Sequence, residues 1–198
     1  NSIKVHDNLP KVPFYLDICG KSNSGKSNLL VNMLGFYKKV IKPDFVYVFC
    51  KTPSSTLAQV KGINIYTNLL MADGTNRVQY LMNEQRKRKE SNKKNIQMLL
   101  IFDDFITDSE LNKKRGVFTE LWSMARHFNI SVVITAQTYM LIPASIRRMS
   151  LYSILFSVFN KKERELVVNE NQRQLTADEF NFVYDDATSE PYGFLYID

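Results

Sequence analysis

The residues of this chain best suited to chemistry lie in one short glycine-rich stretch, GKSNSGKSN at positions 20–28. It matches the pattern G-x-x-x-x-G-K-S, whose backbone N–H groups wrap around the phosphates of a nucleotide. The lysine of such a loop reaches the terminal phosphates, and the serine hydroxyl binds Mg²⁺. The sequence therefore predicts a nucleotide site built from Gly20, Lys21, Ser22, Asn23, Ser24, Gly25, Lys26, Ser27 and Asn28.

Two carboxylates follow an apolar run further along, MLLIF at 98–102. Asp103 is predicted to hold Mg²⁺ beside the loop through the water shell of the ion, and Asp104 to orient and polarise the attacking water. Motors more often carry Glu at this second position, and Asp is one methylene shorter. Glu120 therefore stands as an alternative catalytic base.

Two further polar residues fit a motor ATPase. Gln137, in ITAQT, follows the next apolar run, where it can face the γ-phosphate and report its hydrolysis. Arg126 lies beside the apolar stripe of a predicted helix, so it can project into a neighbouring subunit as an arginine finger. Arg147 and Arg148 are second choices for that role. The structural alternatives are a rim glutamine and a surface arginine lying over Trp122.

Alternating apolar runs and amphipathic segments predict the elements that position these residues. Because strands alternate with helices, we expect an α/β fold with a mostly parallel central sheet and helices on both faces. The glycine-rich loop then lies at the C-terminal edge of the sheet, where such folds bind ligands. The expected strands are 14–19, 45–51, 63–68, 96–105, 131–138, 151–159 and 193–198, and the expected helices are 26–40, 53–60, 77–90, 116–128, 143–150, 161–172 and 176–184.

Length and composition favour a globular protein. The 198 residues, 44% of them hydrophobic, suit one domain spanning 1–198. The longest apolar runs are too short or too polar to span a bilayer, and the first residues have no apolar segment of the secretory type. Cys19 and Cys50 are expected to be small core residues in a reducing compartment.

The formal net charge is +6, and much of it is local. RKRKESNKK at 86–94 holds six basic residues and one acidic residue, a density that favours a polyanion partner such as nucleic acid. The alternative is a solvated helix end.

Four segments, GKSNSGKSN, LLIFDDF, ARHFNISVVITAQT and PASIRRMSLYSILF, together resemble the FtsK–HerA superfamily of DNA-translocating ATPases. Within it, the chain is most similar to the genome-packaging ATPases of large DNA viruses and virophages, whose branch carries Asp-Asp where others carry Asp-Glu. The resemblance extends from Phe14 to Phe159.

The resemblance implies a RecA-like P-loop NTPase core that hydrolyses ATP with Mg²⁺ and packages a viral genome. It implies a homo-oligomeric ring, a pentamer or hexamer, around double-stranded DNA, with capsid proteins as further partners. It places the protein in the host-cell cytoplasm, at the viral factory, or with the virion. The implied roles are phosphate and metal binding by Lys26, Ser27 and Asp103, and catalysis by Asp104, Gln137 and, in trans, Arg126. DNA is expected to be gripped by loop 73–79 or segment 86–94.

Other functions fit less well. A GTPase would need N-K-x-D, but 160–163 read NKKE, and no Asp-x-x-Gly follows the metal strand. A small-molecule kinase would need a basic lid, which RKRK at 86–89 imitates in an unsuitable position. A motor of plasmid transfer or chromosome segregation is the nearest rival. A non-hydrolysing DNA clamp or scaffold would not require Asp104 or Gln137.

Overall fold

A computed structural model describes residues 8–91, 96–105, 116–158 and 160–198. Within these ranges, seven strands form one sheet in the order β3-β2-β4-β5-β1-β6-β7. The strands are β1 Tyr15–Cys19, β2 Val46–Cys50, β3 Asn64–Tyr66, β4 Met98–Asp103, β5 Ile130–Ala136, β6 Tyr152–Phe156 and β7 Phe194–Ile197. The α-helices are α1 Lys26–Tyr37, α2 Ser55–Ala58, α3 Arg77–Glu90, α4 Val117–Met124, α5 Ala144–Met149, α6 Lys161–Asn171 and α7 Ala177–Ala187.

The sheet is parallel apart from its last pair, in which β7 runs antiparallel to β6. Every residue of β1, β4 and β5 is buried. Such strands read as continuous apolar runs because helices cover both of their faces. The predicted fold class, an α/β fold with a mostly parallel central sheet, is confirmed.

Helices pack on both faces of the sheet, as predicted. One layer joins sheet residues such as Tyr15 and Leu100 to α3, α4, α6 and α7. The other joins Leu16 and Ile101 to α1 and α2. Cys19 and Cys50 are buried and unpaired, which fits the prediction of small core residues.

Several predicted elements have different ends. The helix expected at 116–128 is α4 followed by a 3₁₀ turn, Ala125–Phe128, which stops where Asn129 adopts a left-handed φ of 58°. The helix expected to reach residue 40 ends at Tyr37, whose carbonyl accepts the N–H groups of both Val40 and Ile41. The strand expected at 151–159 ends at Phe156, and residue 159 lies outside the described part.

Parallel strands bring their C-terminal ends to one side, called here the carboxyl edge, and their N-terminal ends to the opposite amino edge. Cys19, Cys50, Asp103 and Ala136 all end strands at the carboxyl edge. The polar residues that follow these positions are therefore neighbours.

None of the helices in the described ranges has both the length and the apolar character that a membrane-spanning helix needs.

Candidate nucleotide-binding site

The glycine-rich loop connects β1 to α1 at the carboxyl edge. A Cβ on Gly20 would lie 2.6 Å from Ser24 Oγ and 2.7 Å from Phe156 Cβ, so a side chain has no room there. Gly25 has a φ of +103°, which L side chains rarely adopt. The Gly20 N–H donates to the Ala136 carbonyl at 3.0 Å, which ties the loop to the end of β5.

Lys26 begins α1, and its side chain returns into the loop. Its ammonium donates to the carbonyls of Gly20 at 2.5 Å and Lys21 at 3.1 Å. The residue is only 6% exposed. A positive charge held out of water interacts strongly with anions, because the surrounding dielectric constant is low. Nothing acidic occupies the first turn of α1, so the helix N-terminus adds to this attraction.

Asp103 and Asp104, at the end of β4, share a buried hydrogen-bond partner on β5. The Thr135 hydroxyl donates to Asp103 Oδ1 at 2.7 Å and accepts the Asp104 backbone N–H at 2.9 Å. Asp104 adopts a left-handed φ of 48°. Sequence reasoning did not identify Thr135, although it is a hydroxyl-bearing residue in an otherwise apolar stretch of the strand beside Asp103.

Gln137 lies against the second carboxylate, with its Nε2 donating to Asp104 Oδ2 at 3.2 Å. The predicted base and the predicted γ-phosphate sensor are therefore in direct contact. Thr135, Asp103, Asp104 and Gln137 form one hydrogen-bonded group at the carboxyl edge, where the loop also lies.

The electrostatics of Asp103 suit a cation ligand. Burial raises its pKa, the Thr135 hydrogen bond lowers it, the Asp104 charge raises it and the Lys26 charge lowers it. A bound divalent cation would favour the charged form that burial disfavours. In the described ranges, no cluster of three His, Cys, Asp or Glu residues could hold a metal alone. Mg²⁺ needs no such cage, because it keeps waters and substrate phosphates as ligands, so Ser27 with Asp103 is a fitting donor set.

An open cleft of about 560 Å³ lies over the loop, a volume typical of small-molecule sites. Sequence reasoning missed two groups that line it. Ser54, Ser55 and Thr56 come from the start of α2, and Tyr192 comes from the turn before β7. The remaining lining residues are Ser22, Asn23, Gly25, Lys26, Ser27, Asn28 and Asp104.

Arg126 is exposed but lies at the amino edge, away from the loop of its own chain. Its backbone N–H donates to the hydroxyl of Tyr15, the first residue of β1, and its guanidinium lies 6.0 Å from the centre of the Tyr15 ring. The ring of Trp122 stacks on the ring of Tyr15, with 5.4 Å between the two ring centres. The structure therefore does not bring Arg126 together with the other predicted site residues of the same chain.

Two of the secondary candidates, Arg147 and Glu120, have structural partners. Arg147 binds Glu170 through two hydrogen bonds, of 2.6 and 2.8 Å, and also donates to the carbonyls of Tyr139 and Ile142. Its side chain is 8% exposed, so it is not available as an arginine finger. Glu120, the alternative base, pairs with Arg86 at 3.3 Å, while Arg148 is exposed.

The described basic side chains of segment 86–94 also have partners in the chain, and residues 92–94 lie outside the described part. The contacts of the described basic side chains are Arg86 with Glu120, Lys87 with Glu84, Arg88 with Phe45 and Lys89 with His127. The segment predicted as loop 73–79 includes the start of α3 at Arg77. In it, Asp73 accepts the Thr75 N–H and Arg77 stacks on Tyr66 at 3.9 Å. Contact of either segment with DNA stays a prediction.

Two solved structures of similar fold are viral genome-packaging enzymes. The DNA-packaging ATPase B204 of Sulfolobus turreted icosahedral virus superposes with a TM-score of 0.65 at 15% identity, covering 94% of this chain and 93% of that one. B204 of Sulfolobus turreted icosahedral virus 2, in complex with ATP-gammaS, gives a TM-score of 0.62 at 15% identity, covering 93% and 91% of the two chains. These matches confirm the expected fold.

Sequence comparison gives the family. The DNA packaging protein OPG160 of Variola virus is 23% identical over 182 residues, covering 86% of this chain. The chain spans 64% of the length of that relative. The profile of the family described as poxvirus A32 protein matches residues 4–181. The resemblance to viral genome-packaging ATPases is therefore confirmed, and the chain belongs to the poxvirus A32 protein family.

Proposed function

We propose that this chain is a Mg²⁺-dependent ATPase that moves double-stranded DNA into a viral capsid. The observation that carries the proposal is the contact between Asp104 and Gln137, at 3.2 Å, next to the glycine-rich loop. A protein that only bound nucleotide would need the loop and a metal ligand. It would not need a second carboxylate held by a glutamine at the edge of the same cleft.

Each residue has a distinct task in this proposal. Lys26 neutralises charge on the terminal phosphates, and Ser27 and Asp103 hold Mg²⁺. When bound, the ion neutralises negative charge that builds up on the phosphate oxygens during transfer. Asp104 orients the attacking water and accepts its proton, while Gln137 fixes Asp104 and faces the γ-phosphate. The neutral loop residues supply backbone N–H groups to the phosphates.

The position of Arg126 supports an assembly of several copies. β1 has five residues and rises about 3.3 Å per residue, so the amino edge is roughly 16 Å from the loop. Arg126 therefore cannot serve its own site without a large rearrangement, but a head-to-tail ring can bring the amino edge of one subunit to the carboxyl edge of the next. A ring of five or six copies around DNA, docked on capsid proteins at the viral factory or in the virion, is consistent with this arrangement.

The similar proteins support DNA as the partner. B204 is described as a DNA-packaging ATPase, and the Variola virus relative as a DNA packaging protein. A motor of plasmid transfer or chromosome segregation remains the alternative among translocases. A DNA clamp that binds ATP without hydrolysing it is the alternative of another class.

Steady-state ATP hydrolysis by the purified protein, with and without duplex DNA and at two salt concentrations, tests the proposal. We expect turnover that DNA stimulates, less so at higher salt, because phosphate contacts weaken as salt rises. Lys26→Ala should abolish this turnover, whereas Lys39→Ala, at an exposed lysine beyond α1, should preserve it. Nucleotide binding without turnover would favour the clamp, and turnover indifferent to DNA would contradict translocation.

A further inference from the structure

We propose that Tyr192 is the stacking platform for the nucleobase of the bound nucleotide, an inference that rests on the proposed function of the loop. Tyr192 lines the same cleft as Lys26, Ser27 and Asp104. It is the one aromatic residue among the described residues lining that cleft. Its side chain is exposed, with the residue at 69% of its full accessibility. A flat apolar face open to a polar phosphate site matches the chemistry of a purine ring.

The ring of Tyr192 touches the loop itself. A Cβ built on Gly25 would lie 3.2 Å from Tyr192 Cδ1 and 3.7 Å from Tyr192 Cβ. The same position would lie 3.8 Å from Phe156 Cε1. Tyr192 thus flanks the backbone that is expected to hold the phosphates.

The order of the strands sets the direction of the nucleotide. The loop follows β1, and the proposed metal and water residues, Asp103 and Asp104, lie at the end of β4, on the β5 side of β1. Tyr192 precedes β7, which lies on the opposite side of β1 beyond β6. If the γ-phosphate faces Asp104 and Gln137, the base end points toward β6 and β7, where Tyr192 lies.

The backbone at Tyr192 is strained, and the fold maintains that strain. Its φ is 67°, in the left-handed region that favours glycine. The Gly193 N–H donates to the Glu190 carbonyl at 2.9 Å, which closes a four-residue turn whose third position is Tyr192. Glycine or asparagine is usual at that position when φ is positive. A bulky aromatic residue kept there at an energetic cost indicates a role for the ring rather than for the turn.

Gly193 explains how the turn is held against this strain. A Cβ at Gly193 would lie 2.6 Å from the Ala187 carbonyl oxygen and 3.0 Å from the Glu190 carbonyl oxygen. The chain therefore packs tightly where it leaves α7, and the start of β7 is fixed by pairing with β6. Tyr192 is presented from a rigid turn, which reduces the entropy lost when a base stacks on it.

The test compares the binding of ATP and of inorganic tripolyphosphate, both with Mg²⁺, by titration calorimetry. Tripolyphosphate has the phosphates but no base. We expect Tyr192→Ala to weaken ATP binding by about 5- to 150-fold, the range that stacking supplies, and to leave tripolyphosphate binding unchanged. Tyr192→Phe should bind ATP as the unmodified protein does, because the ring is retained. Phe182→Ala removes the ring of a residue on α7 that is 75% exposed, and it should change the affinity for neither ligand.

A second variant separates stacking from folding. Glycine suits a φ of 67°, so Tyr192→Gly should melt at the same temperature as the unmodified protein or higher, and still bind ATP weakly. Equal losses for ATP and tripolyphosphate would overturn the stacking role, since the ring would then be supporting the loop. Undiminished ATP binding in Tyr192→Ala would overturn it too. Failure of the unmodified protein to bind either ligand would instead reject the proposed nucleotide site.

Discussion

The Thr135 hydroxyl connects Asp103 and Asp104, donating to the Asp103 carboxylate at 2.7 Å and accepting the Asp104 backbone N–H at 2.9 Å. Thr135→Val keeps the shape of the side chain but removes both bonds. We expect kcat to fall about 10- to 100-fold, because misplaced catalytic groups lose rate steeply, while ATP affinity changes little. Thr135→Ser retains the hydroxyl and should restore most of the rate. Steady-state kinetics and ATP titration of both variants measure this.

The same substitution has a pH signature. The Thr135 hydrogen bond lowers the pKa of Asp103 against the effect of burial, so its loss should raise that pKa further. The ionised carboxylate that Mg²⁺ requires would then form only at higher pH. The acidic limb of the rate profile of Thr135→Val should therefore move to higher pH. An unchanged limb with a lower plateau would assign Thr135 to packing alone.

Gln137 should act on hydrolysis and not on binding. Gln137→Ala removes the 3.2 Å bond to Asp104, and we expect single-turnover hydrolysis to slow by about 100-fold with ATP affinity preserved. Gln137→Glu places a second negative charge beside Asp104 and should be slower still, because like charges repel. Hydrolysis at the normal rate in both variants would remove Gln137 from the mechanism.

Much of this site follows from local sequence. Gly20, Gly25 and Lys26 are determined by steric and charge requirements that act within a few residues, and Asp103 is marked by the apolar strand that carries it. The alternation of strand and helix then places both at one edge of a parallel sheet. These features could be predicted because each depends on neighbours in sequence.

The remaining features depend on residues far apart in the chain. Tyr192 reaches the loop from more than 160 positions away because β7 pairs with β6, a pairing that no local pattern marks. Arg147 looks like a free basic residue until α6 brings Glu170 to it. The sequence does not show at which edge of the sheet Arg126 lies. Only the direction of the strands shows that it lies at the edge opposite to the loop of its own chain.

Arg126 should complete the site of a neighbouring subunit, which mixing experiments can detect. Lys26→Ala and Arg126→Ala are each expected to lack DNA-stimulated turnover. An equal mixture should regain activity, because about one head-to-tail interface in four pairs an intact Lys26 with an intact Arg126. Arg148→Ala removes the other exposed candidate for the arginine finger and should keep its activity unmixed. Inactivity of the mixture, under conditions where subunits exchange, would argue against Arg126 acting in trans.

Asp17 should make the stability of the protein depend on pH. It is fully buried on β1, with Ser153 Oγ donating to Oδ1 at 2.8 Å and no hydrogen-bond partner for Oδ2 among the described residues. Burial raises its pKa from 3.8 to about 6, although the Ser153 hydrogen bond, the nearby Ser150 hydroxyl and the Arg147 charge lower it. The folded protein therefore binds this proton more tightly than the unfolded chain does.

The sign follows from that difference in proton binding. The contribution of Asp17 to the free energy of unfolding is complete below pH 3.8. It is lost as the pH rises through about 6, which lowers the free energy of unfolding by up to ~3 kcal/mol. Asp17→Asn carries no such charge, so its free energy of unfolding should exceed that of the unmodified protein at pH 7 and converge with it at pH 4. Urea titrations across this range measure the difference. Asp73→Asn is the matched control, because Asp73 is exposed and its pKa is lowered. The contribution of Asp73 to stability should therefore disappear as the pH falls, opposite in direction to that of Asp17. A constant difference between Asp17→Asn and the unmodified protein at every pH would mean that Asp17 keeps its charge when buried.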